Sequence, residues 1–231
     1  MSVVRKRESN MTNSEKDRYT NTIRTLIQNG TYGQLVRHHT EMSHRMHSMG
    51  GMDIVGRNRF LAWHRVYLLK LEEEMRTIDP QCFIPYWRWT TQRRVPTWLS
   101  NFRPTVNVVG HGSVTVVRNV GFPPPLPTSS YVNDVLSETT FNDFTMQLEG
   151  AHGNVHMWVG GTMADFMFSP ADPLFWLHHA NIDRIWSVWQ KKPANQGKNP
   201  SLSGIDRIMD PWTESVGDVL KIENLDYSYG L

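Results

Sequence analysis

The sequence predicts a mainly α fold: a four-helix-bundle core with few short strands and long loops. Three observations carry this prediction. Residues 172–189, DPLFWLHHANIDRIWSVW, set Phe175, His179, Ile182, Trp186 and Trp189 at steps of three or four, so they share one helical face. Residues 59–75, RFLAWHRVYLLKLEEEM, repeat the pattern with Phe60, His64, Leu68, Leu71 and Met75. Strand signals, by contrast, are confined to short valine clusters near Val3-Val4 and between Val106 and Val117.

Composition narrows the class. The chain has 231 residues, which fits one domain over 1–231 with enough apolar residues to bury a core. Its 24 basic and 22 acidic residues are scattered and leave a net charge of +2, so nothing marks a nucleic-acid surface. No apolar run reaches membrane-spanning length. Cys82 is the single cysteine, which excludes an internal disulfide and fits a reducing compartment. The N-terminus, MSVVRKRESNMTN, lacks the apolar core of a signal peptide, so a cytoplasmic location is expected.

In chain order, residues 1–11 read as an extended arm. Thr12-Asn-Ser-Glu15 is a capping box, backed by the stripe Tyr19, Ile23, Leu26 and Ile27, and Asn29-Gly30 ends that helix. Thr31-Tyr-Gly-Gln34 resembles a second capping box, followed by Leu35, His39, Met42 and Met46 on one face. This helix is expected to run until Gly50-Gly51 breaks it. Val106–Val109 and Val114–Val117 flank Gly110-His111-Gly112 as a hairpin, with His111 a turn residue. Phe122–Pro127 is an extended spacer. Ser130 or Asn133 caps a short helix, and Thr139 or Thr140 opens the helix that runs through Phe144 and Leu148 towards His152. Asp172 is the expected N-cap of the last helix, with Pro173 in its first turn. A polar loop follows Gln190.

The histidines are the chemical signal. His152 and His156 are four apart, so their rings stack on one helix face and can grip one metal ion. His179, on the apolar face of the next helix, supplies a third nitrogen. In the first half, His39 lies on the buried stripe and His64 on the stripe of residues 59–75. His47 follows His39 by eight residues, about 80° round a helix, so both can face one point. His44 is about 140° away and His38 about 100°, placing these two at the surface or behind the ligands. A lone histidine in an apolar stripe is more often a satisfied core residue than a ligand. Two sets of three are a different matter.

HxxxHxWVGG followed by DPxFxLHHANxDRxWxxWQ resembles the second copper-binding half of the tyrosinase, catechol oxidase and haemocyanin superfamily, over about forty residues. FLAWHRVYLLKLE and Pro85-Tyr-Trp87 resemble its first half, and Tyr227-Ser-Tyr229 the Tyr-x-Tyr segment that closes its catalytic domain. The resemblance implies a dinuclear copper site in the bundle core, with His39, His47 and His64 on one ion and His152, His156 and His179 on the other. It implies O2 and small phenols as partners and oxidation of o-diphenols to o-quinones, with ortho-hydroxylation of monophenols as a further activity open to the family. O-aminophenol oxidation and haemocyanin-like oxygen carriage are the alternatives, and a copper-delivery partner fits the family. Carriers in the family cover the site with further segments, for which this chain is short.

This chain departs from the pattern at one ligand. The second ligand of the first half usually lies nine residues before the histidine of WHR, where Val55 stands here. His47 and His44 are the candidates, and helical phase selects His47. Neutral imidazole suits copper in both oxidation states. No HExxH carboxylate points to a zinc hydrolase, and no ExxH pair to a di-iron bundle. Three more positions bear on the reaction by resemblance. Glu149 matches a glutamate that orients a water for phenol deprotonation, Gly153 stands where hydroxylating relatives often carry Asn or Asp, and Phe166 aligns with a gate over the first copper. Phe60 and Phe175 are expected to keep the site dry, and Asp183 to pair with Arg59 and brace the two halves.

Overall fold

The computed structural model describes residues 3–230, so residues 1 and 2 of the expected arm lie outside the described residues. The elements run β1 (Val3–Arg5), α1 (Asn13–Gln28), α2 (Thr31–Thr40), α3 (Ile54–Ile78), the single turn α4 (Thr97–Ser100), β2 (Thr105–Val108), β3 (Gly112–Thr115), α5 (Ser129–Ser137), α6 (Phe141–Val159), α7 (Leu174–Gln190) and β4 (Tyr227–Tyr229). The fold is mainly α, as expected. Helices α2, α3, α6 and α7 form the core bundle, and the loops between them carry short 3-10 turns. Among the described residues no helix is long and apolar enough to cross a membrane.

Local signals explain most helix starts. Thr12 and Glu15 form the capping box of α1: the Thr12 hydroxyl accepts from the Glu15 amide, and the Glu15 carboxylate accepts from the Thr12 amide. Thr140 caps α6, as expected. Three expected caps are corrected. Thr31 is already helical, and Gly30 precedes it at φ 85°, a left-handed backbone that glycine adopts without strain. Thr128, not Ser130 or Asn133, caps α5 by accepting from the Tyr131 amide. Helix α7 starts at Leu174, with Pro173 at the N-cap position. Asp172 still accepts from the Leu174 amide, but its carboxylate chiefly holds Arg118, at 2.6 and 2.7 Å in the interior.

A fourth correction concerns the first half. The helix carrying His39 ends at Thr40, ten residues before Gly50-Gly51. Residues 41–53 form an irregular loop with one 3-10 turn, Met42–His44, and left-handed backbone at Arg45 and Met49. Tertiary contacts override helix propensity here. Arg45 grips the Asp53 carboxylate through two bonds, and the loop backbone lies hard against α3. A Cβ at Gly56 would meet the His47 carbonyl oxygen at 2.0 Å, so only glycine permits that approach. Gly33 of α2 plays the same part towards Asn107 of the hairpin.

The hairpin is antiparallel, Val106 opposite Val114, with Gly110-His111-Gly112 at its turn end. The chain ends meet as a two-stranded parallel sheet, Val3 beside Tyr227 and Arg5 beside Tyr229. This sheet carries a buried charge network onto the bundle. Asp183 of α7 accepts from Arg65 of α3 at 2.5 Å and from the Tyr227 and Tyr229 hydroxyls at 2.6 Å each. Arg5 lies 3.6 Å from the same carboxylate and pairs with Glu72 at 3.0 Å. The expected brace between the halves therefore exists, but its arginine is Arg65. Arg59 instead pairs with Asp210, because it leaves α3 six residues, about 1.7 turns, before Arg65 and faces the 206–210 loop.

Burial by itself would raise the Asp183 pKa, yet Arg65 and Arg5 outweigh it and hold the carboxyl below the usual carboxylate range. Breaking such a buried pair costs about 3–5 kcal/mol, so Asp183→Asn is expected to lower the melting temperature markedly at pH 7. A carboxyl with a depressed folded pKa contributes stability above its unfolded pKa, about 3.9, and loses it as pH falls through the folded value. The gap between wild type and Asp183→Asn in thermal melts should therefore be full at pH 6 and shrink below about pH 4. A gap that does not change down to pH 2 would show that Asp183 is not ionised in the folded protein.

Candidate metal centre

Two clusters of imidazoles face each other in the bundle core. The first joins His39 from α2, His47 from the 41–53 loop and His64 from α3; the second joins His152 and His156 from α6 with His178 and His179 from α7. Within each cluster one nitrogen per residue lies within 4.8 Å of the others. The clusters share a wall: the His64 and His179 rings stack at 4.4 Å, and those of His47 and His152 at 5.7 Å.

The Nε2 atoms converge. His152 and His179 bring theirs to 3.1 Å, His156 and His179 to 3.4 Å, and His39 and His47 to 3.4 Å. The other ring nitrogen decides what these approaches mean. Nδ1–H of His64 donates to the Phe60 carbonyl at 2.8 Å, that of His156 to Met163 at 2.6 Å and that of His39 to Met167 at 3.4 Å. A neutral imidazole has one proton, so these three rings present a bare lone pair at Nε2. The rings are also neutral. Burial, and then the neighbouring imidazoles, hold His39, His64, His152 and His179 well below the usual histidine range, and burial takes His156 down to about 4. Bare nitrogens crowded together away from water repel unless a cation lies between them. Metal–nitrogen bonds of about 2.0 Å at tetrahedral angles put ligand nitrogens about 3.3 Å apart, the spacing seen here.

His178 belongs to the second cluster by distance alone. The Trp89 indole N–H donates to its Nδ1 at 3.1 Å, which forces the proton onto Nε2. That tautomer offers the metal no lone pair. Helical phase favours His179 over its neighbour, and the tautomer agrees, although Trp89 gave no sign in the sequence.

The remaining candidates fall into place around the clusters. Phe60 and Phe175 are fully buried; Phe175 stacks on His179 at 4.0 Å, and Phe60 packs against His64 and His152. Phe166 lies over His47 and His39, at ring distances of 4.9 and 6.4 Å, on the first cluster's side and partly open to solvent. His44 is buried but outside both clusters, with Nδ1 2.5 Å from the Asp210 carboxylate. His38 packs edge-on to Trp212, and His111 reaches the Thr40 hydroxyl from the hairpin turn. Structure thus brings His47 into the first cluster, as expected, but through the loop rather than by helical phase.

A cavity of about 500 Å³ opens onto both clusters, lined by His39, His47, His152 and His156 together with Glu149 and Gly153. Glu149 Oε1 accepts from the Ser48 amide at 2.8 Å, while Oε2 is buried without a protein partner. A Cβ at Gly153 would meet nothing within 4 Å, so this wall stands back from the cavity.

Fold and site define the class: a helical bundle with two facing clusters of buried imidazoles, each spaced so that it could hold a metal ion. The chain belongs to the tyrosinase family. A profile described as the common central domain of tyrosinase matches residues 29–120 and 107–192. The chain is 30% identical to a tyrosinase of Streptomyces glaucescens, over 92% of its own length and 93% of that protein's. It is 28% identical to grixazone synthase of Streptomyces griseus, over 82% and 84%. A functional unit of octopus haemocyanin has the same fold, with a TM-score of 0.76 over all of this chain and 68% of that one, at 22% identity. The family uses a dinuclear copper site, and the two clusters are placed to form one.

This geometry separates His47 from His44. After copper loading and removal of excess metal, His47→Ala should bind clearly less copper per chain than wild type, and His44→Ala should bind as much. Equal copper in His47→Ala and wild type, measured by atomic emission on folded protein, would exclude His47 as a ligand.

Proposed function

We propose that the protein holds two copper ions and uses O2 to oxidise o-diphenols to o-quinones. The observation that carries this reading is the pair of facing histidine clusters at the floor of an open, largely apolar cavity. His39, His47 and His64 would hold one ion, and His152, His156 and His179 the other. Two bound coppers, each able to exchange one electron, would pass on the two electrons that each catechol loses, and two catechols would supply the four electrons and four protons that turn one O2 into two waters.

The chain's own residues do the rest. The stacked His64 and His179 rings, backed by Phe60 and Phe175, hold the two ligand sets together and keep water off their inner side. Phe166 at the rim offers an aromatic face to a phenol ring. Glu149 lines the cavity, and its Oε2, screened from solvent and without a protein partner, would accept a phenolic proton. The lining holds two carboxylates, Glu149 and Asp165, and no Lys or Arg. Arg57 near one wall is engaged by the Gly51 carbonyl and Asn142. Catechols with neutral or cationic tails therefore suit this cavity better than those with carboxylate tails.

A diphenol loses its first proton readily and bears two adjacent oxygens. A monophenol must lose a proton with a pKa near 10, as for tyrosine, and needs an oriented base or water. Gly153 has no side chain to hold such a water with Glu149. Oxygen uptake by the copper-loaded protein should therefore be faster with a catechol than with the matching monophenol. Gly153→Asn, which enters open space, should raise the monophenol rate more than the diphenol rate at unchanged copper content. Equal wild-type rates on both substrates would remove Gly153 from control of the proton transfer. Reversible O2 binding without turnover of any catechol would make the protein a carrier and overturn the proposal. In the same assay, kcat/KM for a catechol with an aminoethyl tail should exceed that for one with a carboxyethyl tail several-fold. The opposite order would show that the rim carboxylates do not select the tail.

A further inference from the structure

The geometry points to Glu149 as the positioning residue for His47: a carboxylate from the second half of the bundle that aims a first-half ligand carried on an irregular loop. The inference rests on the dicopper reading above and concerns how this chain builds its first site without a ligand at position 55.

Residues 41–53 lack the repeating hydrogen bonds that would fix a side chain's direction on a helix. His47 must nevertheless hold its Nε2 3.4 Å from that of His39. Besides the packing of its ring against Phe60, Phe166 and His152, three contacts bear on the residue. Its carbonyl lies against the Cα of Gly56 at the start of α3, which fixes the backbone position but does not choose which ring nitrogen faces the cluster. The amide of the next residue, Ser48, donates to Glu149 Oε1 at 2.8 Å, which ties the same peptide to α6. His47 Nδ1 lies 3.7 Å from that oxygen. With Nε2 turned towards the cluster as a bare donor, the ring proton is on Nδ1, on the Glu149 side. A carboxylate facing the distal N–H of a ligand histidine fixes its tautomer, orients its ring and strengthens it as a donor. His39 and His64 receive this service from backbone carbonyls, at Met167 and Phe60. Among the described residues, no backbone carbonyl bonds the His47 ring, and the Glu149 carboxylate stands on that side of it, at 3.7 Å rather than at hydrogen-bond distance.

Glu149 can do this because α6 is a regular helix that carries it three residues before His152. The first site is therefore completed from the second half. One oxygen, Oε1, is committed to the loop, and Oε2 has no protein partner.

The test is copper retention, independent of turnover. Wild type, Glu149→Gln, Glu149→Ala, His47→Ala and the double variant Glu149→Ala/His47→Ala are loaded with copper. Copper is then counted over time against a chelator, and apo-protein melts check folding. Wild type should release both equivalents slowly. Glu149→Ala should release one equivalent tenfold faster or more, the usual scale for removing a partner of a ligand histidine, and keep the other at the wild-type rate. Glu149→Gln retains a carbonyl acceptor for the Ser48 amide and should fall between. The equivalent lost quickly should be the one missing from His47→Ala, so the double variant should retain as much as His47→Ala. Release of both equivalents at the wild-type rate in Glu149→Ala, equal acceleration of both, or further loss in the double variant would overturn the assignment. Failure of wild type to hold copper at all would instead overturn the dicopper reading.

Discussion

The structure depends on one constraint: imidazoles drawn from four helices and a loop must be brought together in the interior and turned so that their Nε2 atoms converge on two small volumes. Burial is what keeps them neutral, since an imidazolium in that interior would lose its hydration and meet other cations. Burial alone does not aim them. A neutral ring has two tautomers, and only one presents Nε2 as a donor. Carbonyls of Phe60, Met163 and Met167 make that choice for His64, His156 and His39, and the Trp89 indole makes the opposite choice for His178. Ligand and bystander thus differ by which partner meets Nδ1.

The bundle around the site serves this aim. His64 and His179 stand on α3 and α7, and their stacked rings fix the distance between the two clusters. The same two helices are joined farther along by Arg65 and Asp183, one residue after His64 and four after His179. That pair is isolated from water and satisfied by Tyr227, Tyr229 and Arg5, so it holds register rather than merely adding attraction. The chain ends, paired as a small parallel sheet, act as a clamp on the far side of the ligand helices.

The first half is held differently from the second. In the second half both ligand helices are regular, and the HxxxH spacing alone sets His152 and His156 on one face. In the first half a loop supplies one ligand, and the support comes from elsewhere: Gly56 beneath its backbone, Glu149 across the cavity and Asp53 on Arg45. The cavity wall opposite is correspondingly plain, with Gly153 set back and Phe166 at the edge, leaving room for a flat ring to enter.

Sequence by itself determined the helices and their ligands wherever the signal is local. Stripes of apolar residues at helical spacing placed His64 and His179 in the core, and the Thr12 and Thr140 caps marked two helix starts, because period and capping are properties of a few neighbouring residues. Tertiary structure alone decided what depends on residues distant in the chain. The helix bearing His39 stops at Thr40 because contacts from Asp53, Gly56 and Glu149 stabilise the loop more than further helical turns would, and His47 reaches the first cluster through that loop, not through the helical phase by which the sequence selects it. Asp183 chose Arg65 over Arg59 because the two arginines leave α3 in different directions, towards α7 and towards the 206–210 loop. His178 was excluded by an indole 89 residues away. A lone pair's direction is set by whatever meets the other nitrogen, and no spacing rule along the chain records that partner.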